Sequence, residues 1–288
     1  MAGAGLVAIK RRIKSVTSTQ KITNAMGLIA TSKLRKIRMK LDANNKYCEL
    51  FSSIVNEFVS ESGGNNIYVY GNKSNKSLYI CLNSDTGLCG GFNNNVVTEL
   101  DNYVSKNRQN SIVISVGQKA RMYLKRYKYE IETEYVDIPD IPTMKEADTI
   151  AYKILDLYRS GKVGEVNIVY TKFVSTIKQN VIVEKILPLG KNKKEENKKN
   201  EKKNPVLFEP EADDMMEQVI PSHLKQKLLN CMINSKACEQ ASRMTAMNGA
   251  TKNANDLLEN LNLKYNRQRQ SAITQEINEI VGGAEALK

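Results

Sequence analysis

IKRRIKSVTSTQKITNAMGLIATSKLRKIRMKL, residues 9–41, carries apolar side chains at Ile9, Ile13, Val16, Ile22, Met26, Ile29, Leu34, Ile37 and Leu41. Steps of mostly three and four are helical. No proline interrupts the pattern from residue 6 to about residue 60. At helical rise that span reaches roughly 80 Å. A compact globule of this size needs no helix that long, so the pattern predicts an extended helix lying against a partner. Ser15–Thr19 (SVTST) is rich in β-branched and hydroxyl side chains and is a weak helix former, which again calls for outside support.

The partner stands at the other end of the chain. Residues 211 to 287 read as a second long helix. Asp213 and Asp214 suit a helix N-terminus, where the dipole favours anions, and Pro210 and Pro221 limit where it can begin. No proline follows His223. This helix would extend roughly 90–100 Å. Ser235, Ala237, Ala241, Ala246, Ala250 and Ala254 are small and allow close approach of another helix. The two terminal helices are therefore expected to pair as an antiparallel coiled coil.

Between them lies a different pattern. After a Gly/Asn-rich loop at 63–66 and 71–76, strand-like and helix-like segments alternate: strand Ser77–Asn83, helix Asn93–Lys106, strand Ser111–Val116, helix Gln118–Arg126, strand Ile131–Ile138, helix Lys145–Arg159, and strands Glu165–Phe173 and Ile177–Leu187. This alternation predicts an α/β layer on a largely parallel sheet, with the last two strands as a hairpin. Residues 190–204 (GKNKKEENKKNEKKN) hold seven Lys and three Glu and no apolar residue, and read as a disordered surface loop. The expected division is 1–60 for the first coil helix, 75–190 for the α/β domain, 191–204 for the Lys-rich loop and 210–288 for the second coil helix.

Composition narrows the function. The 288 residues are 41% hydrophobic, enough for a packed core, and no run of about 18 apolar residues exists to span a membrane. Lys10, Arg11 and Arg12 are not followed by the apolar stretch of a signal peptide. Five cysteines at 48, 81, 89, 231 and 238, without a CxxC pair and with His223 as the one histidine, argue for free thiols rather than a zinc site or a regulatory dithiol. Net charge is +12, which suits nucleic acid, anionic lipid or an acidic protein partner.

Candidate catalytic residues are sparse. Thr86–Gly91 (TGLCGG) follows a strand and precedes a helix, where a phosphate-binding loop would sit, but it fits neither GxGxxG nor GxxxxGK[ST]. Cys89 is a nucleophile by type, yet the single histidine stands in another zone. His223 reads as a surface residue, and Asp85 as a cap for the turn that follows it. No catalytic set assembles.

Four quoted stretches carry a resemblance. They are residues 9–36 (IKRRIKSVTSTQKITNAMGLIATSKLRK), 84–93 (SDTGLCGGFN), 242–258 (SRMTAMNGATKNANDLL) and 265–287 (YNRQRQSAITQEINEIVGGAEAL). They resemble the γ subunits of F-type ATP synthases. The last is the most specific, following Ile-Thr-x-Glu-x-x-Glu-x-x-x-Gly-Ala-x-Ala from Ile273 to Ala286. The resemblance covers nearly everything except 60–76 and 190–205, and the Lys-rich insertion departs from the family's pattern. It implies a fold of two parts, a long antiparallel coiled coil of the N- and C-terminal helices and a central Rossmann-like α/β domain. It implies a non-catalytic rotor stalk with no cofactor and no metal. The implied partners are three α and three β subunits, an ε subunit and a membrane c-ring. The implied place is peripheral, on the cytoplasmic face of the bacterial plasma membrane, with no membrane insertion. Carried over by motif, Arg269, Gln270, Thr274 and Glu276 face the β subunits, and Met26 and Arg243 stand where the two helices and β meet. Without the resemblance, each of these reads as a solvated helix face or a core position.

Two other classes compete. A basic coiled-coil protein that binds nucleic acid is favoured by the charge, but Lys and Arg are spread through every zone among Glu and Asp, and no recognition motif stands out. A nucleotide-dependent enzyme would need residues 75–190 to bind a nucleotide by themselves.

Overall fold

The computed structural model describes residues 2–61, 66–104, 108–190 and 212–286. The elements are α1 (Ala2–Glu61), α2 (Ile67–Tyr70), β1 (Ser77–Leu82), α3 (Phe92–Val104), β2 (Ser111–Val116), α4 (Gln118–Arg126), β3 (Glu130–Tyr135), α5 (Met144–Arg159), β4 (Glu165–Phe173), β5 (Gln179–Leu187) and α6 (Ala212–Ala286), with a 3-10 turn at Arg108–Asn110. The Lys-rich segment 191–204 lies outside the described residues. The chain separates into two compact units, Met1–Thr31 with Arg243–Lys288, and Ser32–Ser242.

The sheet of the larger unit has the order β3-β2-β1-β4-β5. β1 runs parallel to β2 and to β4, with Ile80 opposite Ile114 on one side and Ile168 on the other. β3 adds a parallel edge and β5 an antiparallel one, the latter as the expected hairpin with β4. SLYICL and SIVISV are buried almost throughout, as strands covered on both faces must be. Tyr79, Cys81, Val113 and Val169 meet Val96, Val97, Leu100 and Val104 of α3 and Ala120 and Leu124 of α4 in one core cluster. Gly117, between β2 and α4, has φ +94, and a Cβ there would stand 2.4 Å from the Asn83 carbonyl oxygen. Only glycine lets this turn pass so close to the end of β1.

In the smaller unit α1 and α6 run antiparallel. Thr23 Oγ1 meets Thr251 Oγ1 at 2.8 Å, while Gly27 packs on Met247 and Asn248. In the larger unit the same two helices again pair antiparallel. Gln226 donates to Asn44 (2.7 Å), Asn230 to Asn45 (2.8 Å), and His223 Nε2 lies 3.0 Å from Ser52 Oγ. Leu34, Ile37, Leu41, Cys48, Val55, Phe58 and Val59 form the buried stripe of α1. A polar pair inside such a seam is satisfied only in one register, because a slip of a turn leaves buried amides unpaired.

Four sequence expectations are corrected. Pro221 does not limit α6, which is helical from Ala212 onward. The missing N–H costs one helical bond, and Met216, Ile220 and Leu224, each 1% exposed, hold the helix on both sides of it. The one-turn α2 stands between the two stretches read as loop. Asn66 caps it by accepting from Tyr68 N (2.9 Å), and the Tyr68 ring stacks on Tyr158 at 6.0 Å. β3 ends at Tyr135, because the next backbone N–H groups, of Asp137 and Ile138, turn to the Asp85 carboxylate (both 3.2 Å). Asp85 Oδ1 also takes the Gln118 N–H at 3.0 Å, at the start of α4. His223, expected at the surface, is 7% exposed.

Candidate functional site on the C-terminal helix

The residues singled out on the last turns of α6 are accessible. Arg269, Gln270, Thr274 and Glu276 are all exposed. So are Ile273, Ile277, Ile280 and Val281, at 47%, 55%, 68% and 52%. At 3.6 residues per turn these eight positions share one side of the helix. Arg269 and Glu276 flank the apolar stripe on one edge, and Gln270 and Thr274 on the other. Leu261, Tyr265 and Ala272, which are buried or half-buried, mark a different side. Thr274 donates its hydroxyl to the Gln270 carbonyl (3.0 Å), so its methyl and oxygen lone pairs face outward. A stripe of this kind, apolar in the middle and polar at both rims, has the composition of a contact surface. Met26 is half-buried and Arg243 is 7% exposed, so the Arg243 guanidinium is largely covered by the chain itself.

The strand order identifies a second place of interest. The connections reverse direction between β1 and β4, and in sheets of this class ligands bind outside the carboxyl ends of the strands at such a reversal. Here α6 lies across those ends. Ser235 Oγ donates to the Leu82 carbonyl (3.3 Å), Asn234 Oδ1 accepts the Phe173 N–H (3.2 Å), and Cys238 Sγ donates to the Thr171 carbonyl (3.5 Å). Cys89 and Phe92 of the TGLCGGF segment pack on Cys238, with Phe173 beside them. The glycine-rich turn expected where a phosphate loop would sit thus presents a thiol and a phenyl ring to a helix of its own chain.

Burial works against the charged form of several side chains. Burial pushes the Cys81 thiol up to about 12 and raises those of Cys231 and Cys238. Burial also drives His223 down to about 4, helped by the Lys227 charge and opposed by Glu184. Burial works against the charge of Lys227, but its ion pair with Glu184 (2.7 Å) wins and raises it. No group of three or more His, Cys, Asp or Glu that could hold a metal occurs among the described residues. No described helix is long and apolar enough to cross a membrane.

The sequence reading missed Asn234 and the amide seam, and took Ser235 for a small residue facing the other helix, whereas it bonds to the end of β1. A signal was present, since Gln226, Asn230 and Asn234 recur every four residues on one helical face.

A family model described as ATP synthase matches residues 5–287. The ATP synthase gamma chain of Clostridium kluyveri is 69% identical over 289 residues, covering 100% of both chains. The chain belongs to the ATP synthase gamma chain family. The gamma chain of Clostridium acetobutylicum is 59% identical over 288 residues, again across 100% of both. Among solved structures, the rotor of the Euglena gracilis mitochondrial ATP synthase matches with a TM-score of 0.69 at 17% identity, covering 94% of this chain and 99% of that one. The central stalk and c-ring structure of the Tetrahymena thermophila mitochondrial ATP synthase contains a chain matching with a TM-score of 0.60 at 24% identity, covering 80% and 99%. These two likenesses concern the fold. A gamma chain of this length match leaves the nucleic-acid reading without support, and the exposed stripe on α6 becomes the surface to explain.

Proposed function

We propose that this gamma chain is the central rotor stalk of an F-type ATP synthase, coupling ion flow through a membrane c-ring to ATP synthesis or hydrolysis in a ring of three α and three β subunits. The observation that carries this reading is the family match over residues 5–287. The exposed stripe Ile273, Ile277, Ile280 and Val281 supports it, since an apolar helix face without cover calls for a sleeve. The chain supplies no chemistry and works by position. One angle of an asymmetric shaft favours one conformation of a neighbouring β subunit over another, which is allostery by rigid-body rotation.

In this reading Arg269, Gln270, Thr274 and Glu276 touch the β subunits, and Met26 and Arg243 act where the helices and β meet. Arg269 is suited to a two-pronged bond with a carboxylate. Polar contacts of this kind orient the shaft and release at each step, without the adhesion of large apolar burial. The functional division proposed is 1–60 and 210–288 for the shaft, 75–190 for contacts with ε and the c-ring, and 191–204 as an inserted loop. The assembly would hold the chain peripherally at the cytoplasmic face of the membrane.

Reconstitution tests the proposal. Mixed with α and β subunits of a related bacterium, this chain should enter a complex at one copy per three αβ pairs and support ATP hydrolysis, while remaining inert alone. Hydrolysis by the isolated chain, or exclusion from every αβ assembly that accepts a Clostridium kluyveri gamma chain, would refute it.

A further inference from the structure

Between Leu228 and Ala241 every residue of α6 is buried, about four turns of helix closed on all sides. A helix that merely packs on a domain buries one stripe. Full enclosure here includes polar residues, with Asn234, Ser235, Lys236, Glu239 and Gln240 exposed by 4%, 5%, 7%, 3% and 2%. Several of these point into the sheet. Asn234 and Ser235 bond to backbone atoms at the ends of β4 and β1, and Cys238 bonds to the Thr171 carbonyl, two residues before the end of β4. Lys236 Nζ stands 3.1 Å from Glu239 and 4.0 Å from Asp85 Oδ2. Asp85 is in turn fixed by the N–H groups of Gln118, Asp137 and Ile138, so it ties the start of α4 and the exit of β3 to the same spot.

Apolar packing resists separation but has little directional preference, so a smooth helix can creep about its own axis under torque. Hydrogen bonds to strand termini are directional and weaken steeply with angle. Asn234, Ser235, Lys236 and Cys238 leave α6 over more than half its circumference, at successive helical angles. A rotation of α6 within its seat would break their contacts to Phe173, Leu82, Thr171 and Asp85 together, while the Lys236–Glu239 pair turns with the helix.

We infer that Asn234, Ser235, Lys236 and Cys238, seated in the β1–β4 crevice against Phe173, Leu82, Asp85 and Thr171, form the torsional joint through which the α/β domain turns the C-terminal helix. The inference rests on the rotor reading. The crevice that accepts ligands in other sheets of this class accepts the shaft here, and the TGLCGGF segment serves as one wall of the joint.

The test uses the assembled enzyme in inverted membrane vesicles. ATP hydrolysis with the gradient collapsed, and ATP-driven ion pumping against a gradient, are measured on the same preparation. The double variant Ser235→Ala/Lys236→Met should hydrolyse ATP at near the parental rate without load, while ions pumped per ATP fall severalfold under load. Met232→Ala, a deletion of equally buried apolar bulk on the same helix, should lower the melting temperature but leave ions per ATP unchanged. Lys236→Arg should retain the ratio. If the double variant does not assemble, Ser235→Ala and Lys236→Met are read singly, each with a smaller drop in the ratio expected. An unchanged ratio in those variants overturns the joint, as does an equal fall in Met232→Ala. Failure of the rotor reading looks different, because then the parental chain itself would neither assemble nor couple.

Discussion

His223 is the one histidine of the chain, and its buried place in the α1–α6 seam gives a sharp pH prediction. Its Nε2 lies 3.0 Å from Ser52 Oγ, and the Phe51 ring meets it edge-on at 5.6 Å. The charged groups that act on it are Lys227 and Glu184. Folded, the imidazole titrates at about 4, against an ordinary 6.5. Between these values the unfolded chain binds the proton and the folded chain refuses it, so stability falls as pH falls. The contribution is fully present above the unfolded value and is lost progressively as pH drops toward the folded one. At a pH of about 5 the loss from this single group amounts to about 2 kcal/mol relative to a pH of about 8. Replacing His223 with Gln removes the titration while keeping a hydrogen-bonding side chain for Ser52. Denaturant unfolding of both proteins at the two pH values isolates the effect, because the two chains differ only at residue 223. The variant should lose less stability on acidification than the parent, by about that amount. A direct check is available in the NMR titration of the lone imidazole. An imidazole that titrates near its ordinary value, or a parent and variant that lose equal stability, would refute the packing argument.

Three further outcomes are expected. Gly117→Ala should destabilise the α/β domain by more than about 2 kcal/mol, since the left-handed backbone alone costs about 1–2 kcal/mol and the new Cβ also overlaps the Asn83 carbonyl; an unchanged melting curve would count against it. Native-state alkylation near neutral pH should label Cys81, Cys231 and Cys238 far more slowly than after urea unfolding, because burial raises all three thiols, and mass spectrometry of the labelled peptides reads this directly. Gln270→Leu and Thr274→Trp, on exposed positions, should leave the melting of the isolated chain within about 0.5 kcal/mol of the parent yet impair ATP turnover or coupling in the complex; parental rates in the complex would remove both residues from the contact surface.

The elements most legible in the sequence were those with long periodicity. The apolar steps from Ile9 to Leu41 and the small residues from Ser235 to Ala254 set two helices whose length forces them to pair, and α1 and α6 do pair, although Ile22 and Ile29 stay exposed and Ser235 turns to the sheet rather than to α1. The largely apolar runs SLYICL and SIVISV, short, β-branched and bounded by turn residues, set two strands covered on both faces. The order of strands and helices then left few topologies.

Tertiary structure alone decided where single side chains end up, because burial depends on neighbours remote in the chain. His223 follows a proline at a site that reads as surface, and it is enclosed only because Phe51 and Ser52 of α1 arrive beside it. Asp85 stands next to its own turn, yet it takes N–H groups 33 to 53 residues onward, which no local capping rule anticipates. Pro221 breaks an isolated helix but not one whose flanking turns are packed. The crevice between β1 and β4 is set by strand order, and its occupant is set by a helix more than 60 residues beyond β4 at the points of contact. Periodicity records what a segment needs to bury; only the fold supplies the surface that buries it.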